Sequence, residues 1–140
     1  MVFPAYDDSA WPVFRVRLGP AAMSDDEFAR YLEHVDKQFL RGDRFALLID
    51  AREAPVHTPR ERQEIAKHMR ASFARYPHRL AALAVVLESA LQRGIFTAIN
   101  WLAGPTYPTQ AFPTQQDAEV WLRQMLLIPK GSGSYPQVTR

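Results

Sequence analysis

Phe45-Ala46-Leu47-Leu48-Ile49-Asp50 is a continuous apolar run that ends in a carboxylate. A strand wetted on one face alternates apolar and polar side chains, so a run without alternation fits a central strand covered on both faces. Leu80-Ala-Ala-Leu-Ala-Val-Val-Leu87 repeats the pattern. Its alanines suit a helix equally, but Pro77 before it and a helix start at Ser89 after it leave about the length of a strand. The two runs predict an α/β fold with a mostly parallel sheet.

Helix starts lie around these runs. Four times a Ser or Thr is followed three residues later by Glu, Gln or Asp: Ser24 with Glu27, Thr58 with Glu61, Ser89 with Gln92, and Thr114 with Asp117. In such a pair the hydroxyl accepts from an orphan backbone donor while the acidic or amide group reaches back. Pro59 follows Thr58 at a first-turn position where proline costs nothing. The first helix carries Phe28, Tyr31, Leu32, Val35 and Phe39 in one stripe and stops at Gly42. The second turns Ile65, Met69, Phe73 and Tyr76 inward, leaves Arg60, Lys67, Arg70 and Arg75 outside, and ends before Pro77.

The third helix, from Ser89 to about Ala103, points Leu91, Ile95, Ala98 and Leu102 one way and stops at Gly104-Pro105. Gly94 inside it costs about 1 kcal/mol relative to Ala, for which close packing against a neighbouring backbone would compensate. The last helix places Ala118, Trp121, Leu122 and Met125 on one face.

Near the N-terminus, Val13 to Leu18 sets Phe14, Val16 and Leu18 opposite Arg15 and Arg17, the period of a half-exposed strand. Val2 to Tyr6 is expected to pair with it as an edge hairpin, since Asp7, Asp8, Ser9 and Pro12 supply turn chemistry and Pro4 confines the segment to an edge. After the stiff loop containing Pro105, Tyr107 and Pro108, Gln110-Ala111-Phe112 makes a brief strand. The sum is a four- or five-stranded, mostly parallel sheet with about four helices. Residues 1–128 form one domain, and 129–140, with the composition of a linker, form a flexible tail.

A domain of 140 residues removes about two thirds of its unfolded surface from water and needs no covalent staple. The absence of cysteine excludes disulfides, thiolate metal sites and Cys nucleophiles. The first residues lack a basic segment followed by an apolar one, and no apolar run approaches the ~20 residues that span a bilayer, so a cytoplasmic location is expected. Seventeen basic residues face 15 acidic ones, a balance that predicts no nucleic-acid partner. The basic set from Arg60 to Arg79 is diluted by Glu61 and Glu64 and reads as a solvated helix face.

The order of parts carries a resemblance. Phe45 to Asp50 with the long loop and helix after it, Leu80 to Glu88, and the stretch from Gln110 to Leu122 resemble the SpoIIAA-like, or STAS and Sec14-like, bacterial proteins. In these a final strand ending in Phe leads to a helix with an Asp or Glu, Ala, Trp-Leu pattern, here Phe112, Asp117, Ala118, Trp121 and Leu122. The resemblance covers Val13 to Met125 and implies a regulatory binding module, of a kind switched by phosphorylation in some STAS domains. Those switches carry Asp-Ser-Ser-Gly where this chain has Val56-His57-Thr58-Pro59, so the phosphoacceptor does not carry over.

Ligands of open parallel sheets sit outside the carboxyl ends of the strands. Those ends present Asp50, Arg52, Glu53, His57 and Thr58 after one strand and Glu88 and Ser89 after the other. Asp50, His57 and Ser89 have the residue types of a hydrolytic triad. Ser89, however, lacks the Gly-x-Ser-x-Gly turn, and both it and Thr58 are accounted for as helix caps. Thr58 beside Arg60 and Arg62 at a helix N-terminus would suit a phosphate, though a capping threonine needs none. The four histidines are too scattered for a metal motif, and phosphate-binding glycine loops are absent, so no metal or cofactor is expected. Phe96, Trp101, Tyr107, Phe112 and Trp121 crowd one part of the chain; such aromatics are core unless several are exposed together, when they mark an interface or apolar cleft.

The sequence therefore predicts a non-catalytic regulatory or protein-binding module of STAS-like type. Asp50, Arg52, His57, Thr58 and Ser89 form its candidate regulatory or ligand cleft, and Phe96, Trp101 and Tyr107 its candidate interface. A protein partner is expected, a second copy included. The first alternative is a carrier of a small apolar ligand or lipid in a Sec14-like cleft, and the second a hydrolase.

Overall fold

The apolar runs meet their backbone hydrogen-bonding needs in one five-stranded sheet, seen in a computed structural model that describes residues 2–103 and 107–129. The strands are β1 (Ala5–Asp7), β2 (Val13–Arg17), β3 (Phe45–Asp50), β4 (Leu80–Val86) and β5 (Thr109–Phe112), and they lie in the sheet in chain order. β1 runs antiparallel to β2, while β2 to β5 are all parallel. The helices are α1 (Asp25–Phe39), α2 (Pro59–Arg75), α3 (Ala90–Ala103) and α4 (Gln115–Leu127). Crossovers of one hand that advance steadily along the sheet lay α1, α2 and α3 over the same face. α4 covers the other.

Both faces are packed, which is why β3 is buried at every position. On the first, Phe14, Val16, Phe45, Leu47 and Ile49 meet Tyr31, Leu32, Val35 and Phe39 of α1 and Met69 of α2. Phe39 stands edge-on to Phe45 at 5.1 Å, fully enclosed. Burying a side chain of that size contributes about 1.5–3 kcal/mol. On the second face Ala46, Ala82 and Ala84 are small enough to let Ala118, Trp121, Leu122 and Met125 of α4 settle closely on the strands.

The capping signals act as expected to different extents. Ser24 with Glu27 and Thr58 with Glu61 each make both bonds of a capping box. Thr114 accepts from the Asp117 backbone, but the aspartate is one methylene shorter than glutamate and makes no return bond. Ser89 Oγ accepts from the Gln92 backbone at 3.3 Å. α1 ends at Phe39 and the chain turns through Gly42 at φ +89°, a conformation that favours glycine. α2 turns Met69 into the core and stops before Pro77.

Three expectations need correction or limit. The first strand begins at Ala5 instead of Val2, because Pro4 has no N–H to give to a ladder. Among the described residues no neighbouring backbone packs on Gly94: a Cβ built there would meet nothing within 4 Å. The Gly104-Pro105 stop and residues 130–140 of the expected tail lie outside the described residues.

Candidate functional site

Because β2, β3 and β4 are parallel and in register, their carboxyl ends come side by side, with Arg17 opposite Asp50 and Asp50 opposite Val86. An open cavity of about 160 Å³ lies there, lined by Arg17, Leu18, Asp50, Arg52, Glu53 and Glu88. Asp50, one of its lining residues, is only 5% exposed. Arg52 grips it with two donors, Nε to Oδ1 at 2.9 Å and Nη2 to Oδ2 at 2.7 Å, and the Arg52 backbone N–H adds a third bond at 3.2 Å. Arg17 reaches Glu53 at 3.5 Å.

Burial alone would push the Asp50 carboxyl up. The Arg52 donors and the charges of Arg52 and Arg17 outweigh it and hold the group below its ordinary value. Asp50, by hydrogen bond and charge, in turn raises Arg52. A carboxylate kept ionised and already forked by arginine neither gives nor takes a proton near neutrality.

The other cleft candidates have separate commitments. His57 Nδ1 lies 3.7 Å from Glu61, and its ring is 6.5 Å from that of Phe28. Burial lowers its pKa, with Glu61 pulling the other way. Thr58 and Glu61 satisfy one another's backbone donors at 3.1 and 2.8 Å. Arg62, expected as a phosphate partner, donates to the His57 carbonyl at 2.7 Å. Arg93 pins the turn beside Ser89 through the Leu87 and Glu88 carbonyls at 2.8 and 2.7 Å. No hydrogen bond joins Asp50, His57 and Ser89, so the triad's residue types do not form a triad.

A second trio of such types does meet, between α1 and α2. Asp36 takes His68 Nδ1 at 3.1 Å and Ser72 Oγ at 2.9 Å. Both bonds go to the carboxylate and none runs from serine to imidazole, so the trio ties two helices without making a nucleophile. Among the described residues, no three His, Asp or Glu gather so as to hold a metal ion.

The interface candidates separate too. Phe96 is half-buried against the first core. Tyr107 packs on Phe73 at 5.8 Å, and burial pushes its phenol up to about 12. Phe112 and Trp121 pair at 5.4 Å on the opposite face of the sheet. Trp101 alone of the five is exposed, at 84%.

α3 itself is inverted. Its half-buried side chains are Arg93, Phe96, Thr97 and Asn100, a largely polar stripe, and none of its described side chains is fully buried. The apolar stripe of Leu91, Ile95, Ala98 and Leu102 shares one face as expected, but that face is turned to solvent. Leu91 and Leu102 are 74% and 84% exposed. Helical spacing carries the stripe, and away from it the Arg93 guanidinium is anchored to the loop below.

No helix among the described residues is long and apolar enough to cross a membrane. No curated protein matches the chain. Among solved structures, an uncharacterized protein of the DUF3478 family from Shewanella loihica PV-4, described as having a SpoIIAA-like fold, superposes with a TM-score of 0.51. It is 16% identical, over 79% of this chain and 82% of that one, a likeness of fold. The SpoIIAA-like family model matches residues 14–123, from β2 into α4. With its five-stranded sheet in this order and a match over most of its length, the chain belongs to the SpoIIAA-like family.

Proposed function

We propose that this domain is a non-catalytic, regulatory protein-binding module whose contact surface is α3. The observation that carries the reading is the inversion of that helix: Leu91, Ile95, Ile99, Trp101 and Leu102 are all between 40% and 84% exposed. Single exposed apolar residues are ordinary, but five on one helix form a patch of the kind that marks an interaction site. The polar groups at the strand ends support the same view. Asp50, Arg52, Thr58 and Ser89 are engaged with one another or with backbone, so none of these four is a nucleophile with a base beside it. The cavity there is bordered by five charged residues and is smaller than the ~300–1,000 Å³ of typical small-molecule pockets, which speaks against an apolar cargo at that place.

The test compares the wild type with Leu102→Asp as bait in extract from the native cells. Leu102 is 84% exposed, so the substitution leaves the core intact. Proteins held by the wild type and lost by the variant are the expected result; equal retention overturns the reading. Ester turnover by the wild type that vanishes in Ser89→Ala would overturn its non-catalytic half.

A further inference from the structure

We propose that the partner of α3 is a second copy of this chain, and that two α3 helices pack antiparallel across a twofold axis. The inference rests on the protein-binding reading above and names its occupant.

The first support is charge. A charge buried between two copies costs free energy unless an opposite charge of the other copy meets it. The helices α1, α2 and α4 present Asp26, Glu33, Lys67, Arg70 and Arg123 to solvent and would have to bury such charges in a contact of this kind. α3 has one charged residue, Arg93, and that guanidinium is turned inward onto the Leu87 and Glu88 carbonyls. Its outer face is uncharged. A helix that lies on a membrane would instead border its apolar face with Lys and Arg.

Spacing is the second. Leu91, Ile95, Ala98 and Leu102 are separated by four, three and four residues, the alternation of a helix-on-helix seam. That sequence of intervals reads the same in both directions. An antiparallel copy therefore brings Leu91 against the other copy's Leu102 and Ile95 against its Ala98, and the second half of the contact repeats the first.

Gly94 is the third. Glycine weakens a helix interior, and among the described residues no group packs where its side chain would be. Gly94 and Ala98 lie on adjoining parts of the exposed surface and would let another helix backbone come close. The exposed Leu91, Ile95, Ile99, Trp101 and Leu102 together amount to several hundred square ångströms. That is on the order of the ~800 Å² each partner gives to a standard interface.

The test is sedimentation of the full-length protein across a concentration series. The wild type is expected to pass from monomer to twice the monomer mass. Ile95→Glu and Ala98→Lys alter exposed positions, so each is expected to keep the wild-type far-UV and near-UV circular dichroism. Each is also expected to raise the dimer dissociation constant by roughly tenfold or more, since each sets two charges in the apolar seam. Mixed together, the two variants are expected to associate more tightly than either alone, because one layer then holds the introduced carboxylate against the introduced ammonium and the other keeps the native pair. A wild type that stays monomeric at hundreds of micromolar, or a dimer indifferent to both substitutions, overturns the proposal. If the protein is monomeric yet Leu102→Asp still abolishes capture of a different protein, the dimer falls while the protein-binding reading stands.

Discussion

Arg52 folds back on Asp50, two residues before it, and meets the carboxylate with two donors at 2.7 and 2.9 Å. Asp50 is buried, so its charge has little water to fall back on. Breaking a fully buried pair from one side costs about 3–5 kcal/mol. The Arg52 side chain is 38% exposed, so water can enter where it is removed, and Arg52→Ala is expected to cost about 1–2 kcal/mol in urea denaturation at neutral pH. Arg52→Lys restores the charge without the fork and recovers only part. The folded Asp50 titrates below its ordinary 3.8, so the pair's contribution is present above that value and is lost as pH falls through the folded one. In Arg52→Ala burial is left as the larger influence on Asp50, so this acid-linked loss is expected to disappear. A variant as stable as the wild type would remove the pair from any structural role.

Thr58 caps α2 with its hydroxyl, its Oγ1 accepting from the Glu61 backbone at 3.1 Å. Thr58→Ala is expected to lower stability by about 1 kcal/mol, while Thr58→Ser, which keeps the acceptor, stays within about 0.3 kcal/mol of wild type. Denaturant midpoints at fixed slope measure both. Equal losses in the two variants would show that the methyl group, and not the cap, matters.

Two histidines give the protein an acid-sensitive shoulder. Burial holds both His34, stacked on Tyr6 with ring centroids 3.7 Å apart, and His57 below the ordinary 6.5. The unfolded chain therefore binds protons more readily than the folded one. Stability from these groups is fully present above pH 6.5 and declines as pH falls through the lower folded values. Denaturation midpoints are expected to be level from about pH 8 to 7 and to drop below about 6.5, with His57→Gln making the drop shallower. A variant with an unchanged slope would place the effect on His34 alone.

The features legible in the sequence are those set by local physics. A strand covered on two faces cannot alternate, so Phe45 to Asp50 announces its position at the centre of the sheet. The caps at Ser24 and Thr58 are likewise short-range. The direction in which α3 turns is not local: Leu91, Ile95, Ala98 and Leu102 have the same spacing whether they face core or solvent. The site divides in the same manner. Asp50 and Arg52 are near in sequence and both within reach of a reading from strand ends, whereas Arg17 joins them only because β2 lies parallel beside β3. Asp50, His57 and Ser89 share a chemistry on paper, and what divides them is the nearer partner each one finds.

Arg44 shows how the same long-range geometry uses charge to close a fold. Its Nη1 donates to the carbonyls of Leu126 and Ile128, where α4 ends more than eighty residues later. Carbonyls at a helix C-terminus lack intrahelical donors, and a cation there also meets the negative end of the helix dipole. Partial burial lowers the Arg44 pKa without bringing it near neutrality, so the charge is present at any working pH. Arg44→Ala is expected to cost about 1.5–3 kcal/mol, the range for hydrogen bonds to a charged group. Arg44→Lys supplies the charge on a shorter, unforked head and is expected to recover less than half. Amide hydrogen exchange near the end of α4 separates local from global loss: faster exchange confined to the last turn fits a clamp on that turn, whereas uniform acceleration across β3 and β4 would mean that Arg44 supports the sheet as a whole.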